Sequence, residues 1–248
     1  MQIRAQAIVE GQPVVGTTCW DRLWSSGLVG KELDQLSLQM LDILSNAMDR
    51  WQNTEVLEAG SGTGRISLSL RPLGARVTLV DKSDDALGLA KQFSRGGNTS
   101  FIRGDLLCLP FAKESFDLTW NGGVLEHLND EDLEIAVAEM SRVTKRTGLL
   151  VAFCPNRKCL PYRIGKAILE RRGKWPYGYE EPITSLVDQF SRHGVNLVSE
   201  YDLGIVRGFT FLPGGSSKRI LRALSRIEPF LRFMRIPGYL VVSIGRRS

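Results

Sequence analysis

The longest apolar runs of this 248-residue chain are strand-sized, such as Leu149-Leu150-Val151-Ala152-Phe153. They fall far below the roughly 20 residues that a membrane-spanning helix requires. No segment is therefore expected to cross a bilayer. Histidine is scarce: His127 and His193 stand far apart, leaving no imidazole pair at metal-ligand spacing, so no metal site is expected. The four cysteines, Cys19, Cys108, Cys154 and Cys159, are scattered. Even the closest two lack the paired spacing of a zinc ribbon or a redox dithiol, and all four are expected to be reduced and structural. The stretch Met1-Gln2-Ile3-Arg4-Ala5-Gln6 has no apolar core leading to a small-residue cleavage site. Export is not expected, and a cytoplasmic location follows by default.

With 43% apolar and 24% charged residues, the composition is that of an ordinary globular protein, long enough for one α/β core and an accessory element. The formal charge of +5 is moderate, and favours an anionic partner only where it clusters.

One stretch organises the rest. Glu55-Val56-Leu57-Glu58-Ala59 is a short apolar run stopping near an acid, and Gly60-Ser61-Gly62-Thr63-Gly64-Arg65 opens from it with alternating glycines. The pattern predicts strand, tight turn and helix start. Glycine supplies positive φ and leaves no Cβ between the loop and a ligand crossing it, while the first N–H groups of the helix point at that ligand. A second apolar run, Arg76-Val77-Thr78-Leu79-Val80, ends in Asp81. It lies about 20 residues past the first glycine, where a carboxylate grips ribose hydroxyls in an open α/β sheet.

In that order of motifs the chain resembles the class I S-adenosylmethionine-dependent methyltransferases, over roughly residues 54 to 155. Glu58 with Gly60, Gly62 and Gly64 matches that family's first motif, and Asp81 in Val80-Asp81-Lys82-Ser83 its ribose-binding acid. Gly104-Asp105-Leu106 matches its adenine-binding acid and neighbour. Phe116 to Leu128, through Trp120-Asn121-Gly122-Gly123 and Glu126-His127, resembles its fourth strand and following loop. The resemblance implies S-adenosyl-L-methionine as cofactor, with Gly60, Ser61 and Gly62 at the amino-acid part, Asp81 at the ribose, Asp105 and Leu106 at the adenine, and Lys82 among the cofactor-binding residues. Glu58 and Gly64 complete the loop, and the backbone at Asn121 and Gly122 lies beside the methionine moiety.

Strands near 55–59, 76–80, 99–102, 116–120 and 148–153 alternate with helical stretches near 64–70, 84–94 and 130–143, the pattern of a parallel sheet covered on both faces. Asn129 followed by Asp130, Glu131 and Asp132 suits the positive end of a helix. Strands are also expected at 195–201 and 239–244. The fold expected is α/β, a seven-stranded, mostly parallel, doubly wound sheet with helical cap or lid inserts. The resemblance makes the last strand antiparallel. A single domain over 1–248 is expected, with a helical N-terminal cap at 1–50, a cofactor-binding core at 54–155 and substrate-side inserts at 156–182 and 204–237. The leucines Leu33, Leu36, Leu41 and Leu44 mark a helix before the core.

The inserts collect basic residues. Arg157, Lys158, Arg163, Lys166, Arg171, Arg172 and Lys174 lie in the first; Lys218, Arg219, Arg222, Arg226, Arg232 and Arg235 lie in the second. Residues 218 to 227 form an amphipathic basic helix, expected to break at Pro229, with Ile220, Leu221, Leu224 and Ile227 on its apolar side. It fits a lid helix or peripheral contact with an anionic membrane through 218–235.

A sulfonium methyl is already activated, so the enzyme's tasks are alignment and exclusion of water. His127, with an ordinary pKa near 6.5, is the expected proton acceptor; its competing reading is a structural member of the Glu-His pair. Trp20 and Trp24 before the core, and Tyr177 and Tyr179 in the first insert, are the expected substrate contacts. Packing residues are the alternative for all four. The family's Asn/Asp-Pro-Pro-aromatic motif for exocyclic base amines is replaced by Trp120-Asn121-Gly122-Gly123, which argues against DNA. The expected reaction is methyl transfer to oxygen or nitrogen of a small or lipid-like acceptor, with an anionic one favoured by the inserts. Two rivals remain: a catalytically inactive methyltransferase-like domain that binds a membrane or protein partner, and a nicotinamide-dependent oxidoreductase. Arg65 after Gly64 disfavours the oxidoreductase.

Overall fold

A computed structural model describes residues 19–25, 30–94, 96–215 and 217–248. Strands β1 (Glu55–Ala59), β2 (Arg76–Asp81), β3 (Thr99–Arg103), β4 (Phe116–Gly122), β5 (Thr144–Pro155), β6 (Val195–Leu203) and β7 (Leu240–Arg247) form one sheet in the order β3-β2-β1-β4-β5-β7-β6. Strands β1 to β5 pair with one another in parallel, and β7 runs antiparallel between β5 and β6. The expected topology is therefore present. Helices α1 (Cys19–Ser25), α2 (Gln35–Ser45), α3 (Arg65–Leu68), α4 (Asp84–Ser94), α5 (Asp130–Val143), α6 (Leu160–Arg171), α7 (Val187–Arg192), α8 (Ile205–Phe209) and α9 (Lys218–Phe233) cover it.

Side chains of successive strand residues face opposite sides, and the core divides accordingly. Leu57, Ala59, Leu150 and Ala152 pack with Ala136, Val137 and Met140 of α5 and Phe190 of α7 on one face. Val56, Leu118, Trp120, Val151 and Phe153 pack with Met40 and Leu44 of α2 and Leu87 and Ala90 of α4 on the other. The third expected helix starts where its acids placed it, with the Asn129 side chain accepting from Asp132 N–H.

Several boundaries differ from the sequence reading. Helix α2 begins after Leu33, because Asp34 caps it by accepting from Ser37 N–H at 2.8 Å. The helix expected over 64–70 is a four-residue turn followed by a 3-10 turn at Arg71–Leu73, where Pro72 removes an N–H donor. Strand β5 starts at Thr144 rather than near 148. Helix α9 runs through Pro229 to Phe233 instead of breaking there. Proline removes the bond to the Ser225 carbonyl, and on this exposed stretch of helix that carbonyl stays open to solvent instead of being buried unpaired.

Candidate functional site

Strand β1 has β2 on one side and β4 on the other, so the strand order reverses at β1 and opens a crevice beyond the carboxyl ends of β1 and β4. The glycine loop leaves β1 there. Gly60 and Ser61 both donate to the Val80 carbonyl at 2.8 Å, tying the loop to β2. Asp81 at the end of β2 accepts from Gly62 N–H at 2.6 Å and from Ser83 N–H at 2.9 Å. The second-strand acid thus holds the middle of the loop. The loop glycines differ in what they face. A Cβ on Gly64 would strike the Leu79 side chain, whereas one on Gly62 would stand 2.9 Å from Cη2 of Trp24. Gly64 is required by packing, and Gly62 offers its open face to α1.

Glu58 is buried, and one of its carboxylate oxygens, Oε2, has no partner. Burial pushes its pKa up to about 8 against hydrogen bonding from Ser67, with the charge of Asp81 adding to the rise. Ser61 Oγ and Asn121 Oδ1 are likewise buried without partners, while the Asn121 amide donates to the Ala59 carbonyl. Gly122 continues β4 beyond Asn121. Asp105 accepts from Leu107 N–H at 2.9 Å and pairs with Lys82 at 3.0 Å, and Leu106 is buried. These residues meet at the crevice from four separate segments.

The opposite wall is aromatic. Trp20 stacks on Trp24 at 6.0 Å between centroids, meets the His127 ring edge-on at 5.0 Å and reaches Tyr177 at 5.8 Å. His127 ends the 3-10 turn Leu125–His127, and its Nδ1 hydrogen-bonds the Tyr179 carbonyl. A carbonyl only accepts, so Nδ1 carries the proton and Nε2 the lone pair. Burial lowers the His127 pKa, partly opposed by that hydrogen bond and reinforced by the charge of Lys166. Tyr177 enters the cluster, but the Tyr179 ring is exposed and donates its hydroxyl to Glu181 at 2.9 Å. Of the two tyrosines, the second contributes its backbone carbonyl.

The sequence reading did not single out a second group behind this wall. Glu126 and Glu180 are buried, each with one carboxylate oxygen unpartnered. Burial raises Glu126 to about 8 and Glu180 to about 7. Tyr162 and Phe211 pack on Tyr239 at 5.0 and 4.9 Å, and Trp175 lies 5.3 Å from Tyr177. Glu181 N–H donates to the Glu126 carbonyl at 2.7 Å, bringing the first insert onto the loop after β4. Only the Glu-His pairing hinted at Glu126; nothing local marks Glu180 as buried. Cys154 and Cys159 are buried free thiols, and burial holds their pKa values high, Cys159 at about 12. Among the described residues no group of metal-ligating side chains assembles, and no helix is long and apolar enough to cross a membrane.

Residues 57–152 match the family model described as a methyltransferase domain. Over 110 residues the chain is 34% identical to a malonyl-[acyl-carrier protein] O-methyltransferase of Buchnera aphidicola, covering 44% of this chain and 43% of that one. It is 38% identical over 109 residues to a demethylmenaquinone methyltransferase of Thermobifida fusca, covering 42% and 45%. The matched segment thus spans under half the length of these curated relatives. The fold is that of the magnesium protoporphyrin IX methyltransferase of Synechocystis with bound S-adenosylhomocysteine, at TM-score 0.59 and 17% identity, covering 91% of this chain and 93% of that one.

Proposed function

We propose that this chain, which carries a class I methyltransferase domain with the Rossmann-like fold of that class, transfers a methyl group from S-adenosylmethionine to oxygen or nitrogen of a small or lipid-like acceptor. The described residues form a single unit in this reading, with 156–182 and 204–237 on the substrate side. The observation that carries the reading is the convergence, at the strand-order reversal, of the Asp81-held glycine loop with the unpartnered Oε2 of Glu58. Buried unpaired polar atoms cost free energy unless a ligand meets them, and those of Glu58, Ser61 and Asn121 lie around one crevice.

The bound sulfonium supplies an activated methyl group, which leaves the protein to bind, orient and exclude water. Glu58, Gly60, Ser61, Gly62 and Gly64 hold the amino-acid end, with Asn121 and Gly122 beside it. Asp81 and Lys82 serve the ribose, and Asp105 and Leu106 the adenine. Trp20, Trp24 and Tyr177 shield the crevice from water, and the Tyr179 carbonyl fixes the tautomer of His127. Nε2 of His127 then accepts the acceptor's proton. Relatives named as a malonyl-[acyl-carrier protein] O-methyltransferase and a demethylmenaquinone methyltransferase support a small or lipid-like acceptor, and the basic residues of the cap support an anionic one. The cap also supports peripheral membrane contact through 218–235.

The test is calorimetric titration of S-adenosylmethionine and S-adenosylhomocysteine into the wild type. Binding at micromolar Kd, about −8 kcal/mol, is expected. Absence of binding would overturn the reading in favour of a partner-binding domain.

A further inference from the structure

We propose that α9 and the cap that ends it form an interfacial helix, docking this face of the protein on an anionic lipid bilayer. Delivery of a lipid-like acceptor from that bilayer rests on the methyltransferase reading; the docking does not.

Helix α9 is sixteen residues long and has no buried side chain. It packs on α8, and the half-buried Leu221, Leu224, Glu228 and Leu231, spaced at three and four, form its inner side. A second stripe with the same spacing, Ile220, Ala223, Ile227, Phe230 and the capping Met234, is exposed. Phe230 is 59% exposed and Phe233 84%. An apolar stripe of this length on a single surface marks an interaction site.

The charge beside the stripe identifies the partner. Among the described residues, Lys218, Arg219, Arg222, Arg226 and Arg235 have no ion pair, and only Arg232 is matched, by Glu228 at 3.0 Å. In the first insert Arg157 is bound to Glu181 and Lys166 to Glu170. Glu228 is the sole acid between 218 and 235, so two copies meeting through this face would set arginines against arginines. An anionic bilayer satisfies both features at different depths, with the isoleucines and phenylalanines at the acyl boundary and the guanidinium groups at the phosphates. Helix α6, also packed on α8, exposes Leu160 and Ile164 near Arg163 and extends the same chemistry.

The test is cosedimentation of the full chain with phosphatidylcholine vesicles and with phosphatidylcholine–phosphatidylglycerol vesicles, alongside light scattering and S-adenosylhomocysteine titration. The wild type is expected to partition at least tenfold more strongly onto the anionic vesicles, less so in high salt. Arg222→Glu with Arg226→Glu, and separately Phe230→Ser with Phe233→Ser, should each lower that partitioning at least tenfold, with helix content unchanged by circular dichroism. Equal partitioning of wild type and both variants would overturn the docking, as would no binding of the wild type to anionic vesicles. A wild-type dimer that the phenylalanine variant turns into a monomer, without vesicle binding, would assign the face to self-association instead. Vesicle binding without S-adenosylhomocysteine binding would support the docking and sink the methyltransferase reading alone.

Discussion

Nδ1 of His127 donates to the carbonyl of Tyr179, fifty-two residues away, so the first insert sets the tautomer of the ring that faces Trp20. Burial keeps that imidazole neutral to lower pH than usual. In an NMR titration its carbon-bound ring proton should show a midpoint below the ordinary value of about 6.5, with the proton on Nδ1 at neutral pH. His127→Gln should leave S-adenosylhomocysteine affinity within about twofold and reduce turnover by about 10²–10⁴, the range of general-base loss. A midpoint above 6.5 would remove the geometric basis for His127 as acceptor.

Glu58 gives a proton-linkage expectation. Its carboxyl is held protonated to about pH 8 in the folded protein but ionises near 4.5 when unfolded. The folded state therefore binds the extra proton, and the stabilisation present below about 4.5 is lost as pH rises through about 8. The slope approaches about 1.4 kcal/mol per pH unit for one proton. The ammonium of an incoming S-adenosylmethionine should pull that pKa down and release the proton. Calorimetry at pH 7 in buffers of different ionisation enthalpy should register a fraction of a proton released by the wild type and less by Glu58→Gln. Glu126, also raised to about 8, is the control. Glu126→Gln should flatten the decline of Tm between pH 6 and 9 without altering proton release on binding.

Much of this architecture was legible in the sequence because its signals are local. The run ending at Asp81 and the glycines from Gly60 to Gly64 fix a strand, a turn and the acid that ties them, all within one βαβ unit. The alternation of Leu57 and Ala59 with Val56 announces a strand covered on both faces. The second polar group was not legible. Glu180 follows an exposed Tyr179 and precedes an exposed Glu181, and only the return of the first insert onto the Glu126 carbonyl buries it. The break expected at Pro229 failed for another reason: one missing N–H on a solvated helix is too small a loss to end it. Trp24 and Tyr177 were named as aromatics of the cleft, but which tyrosine turns inward was decided by the Tyr179–Glu181 hydrogen bond.

The loop glycines should separate in mutagenesis. Gly64→Ala places a methyl group into Leu79 at a φ of 60°, and overpacking together with left-handed strain should lower stability by about 2–4 kcal/mol. Gly62→Ala meets only the edge of the Trp24 indole, at a φ of 53°. Its stability loss should be smaller, and Trp24→Ala should recover part of it, a coupling expected for residues in contact. Chemical denaturation of the two single variants and the double variant measures this. Additive losses would show that Trp24 does not rest on the loop in solution.

Asp81 occupies a position where support of the loop and contact with a ligand are superimposed, and two substitutions separate them. Its carboxylate accepts from Gly62 and Ser83 N–H, so Asp81→Ala leaves those amides without this acceptor, a loss of about 1–3 kcal/mol of stability. Cofactor affinity should fall with it, by about tenfold or more. Asp81→Asn keeps an acceptor oxygen of the same length but replaces the other with an amide that cannot accept. Gly62 and Ser83 donate to different oxygens, so if the carboxylate also grips the ribose hydroxyls, Asp81→Asn should recover up to about half of the stability lost in the alanine variant while binding S-adenosylhomocysteine nearly as weakly. If affinity instead recovers in step with stability, the acid acts through the loop alone. Denaturation and calorimetry on the same three proteins decide between these outcomes, because charge-assisted hydrogen bonds to hydroxyls are lost in the asparagine variant whatever the loop does.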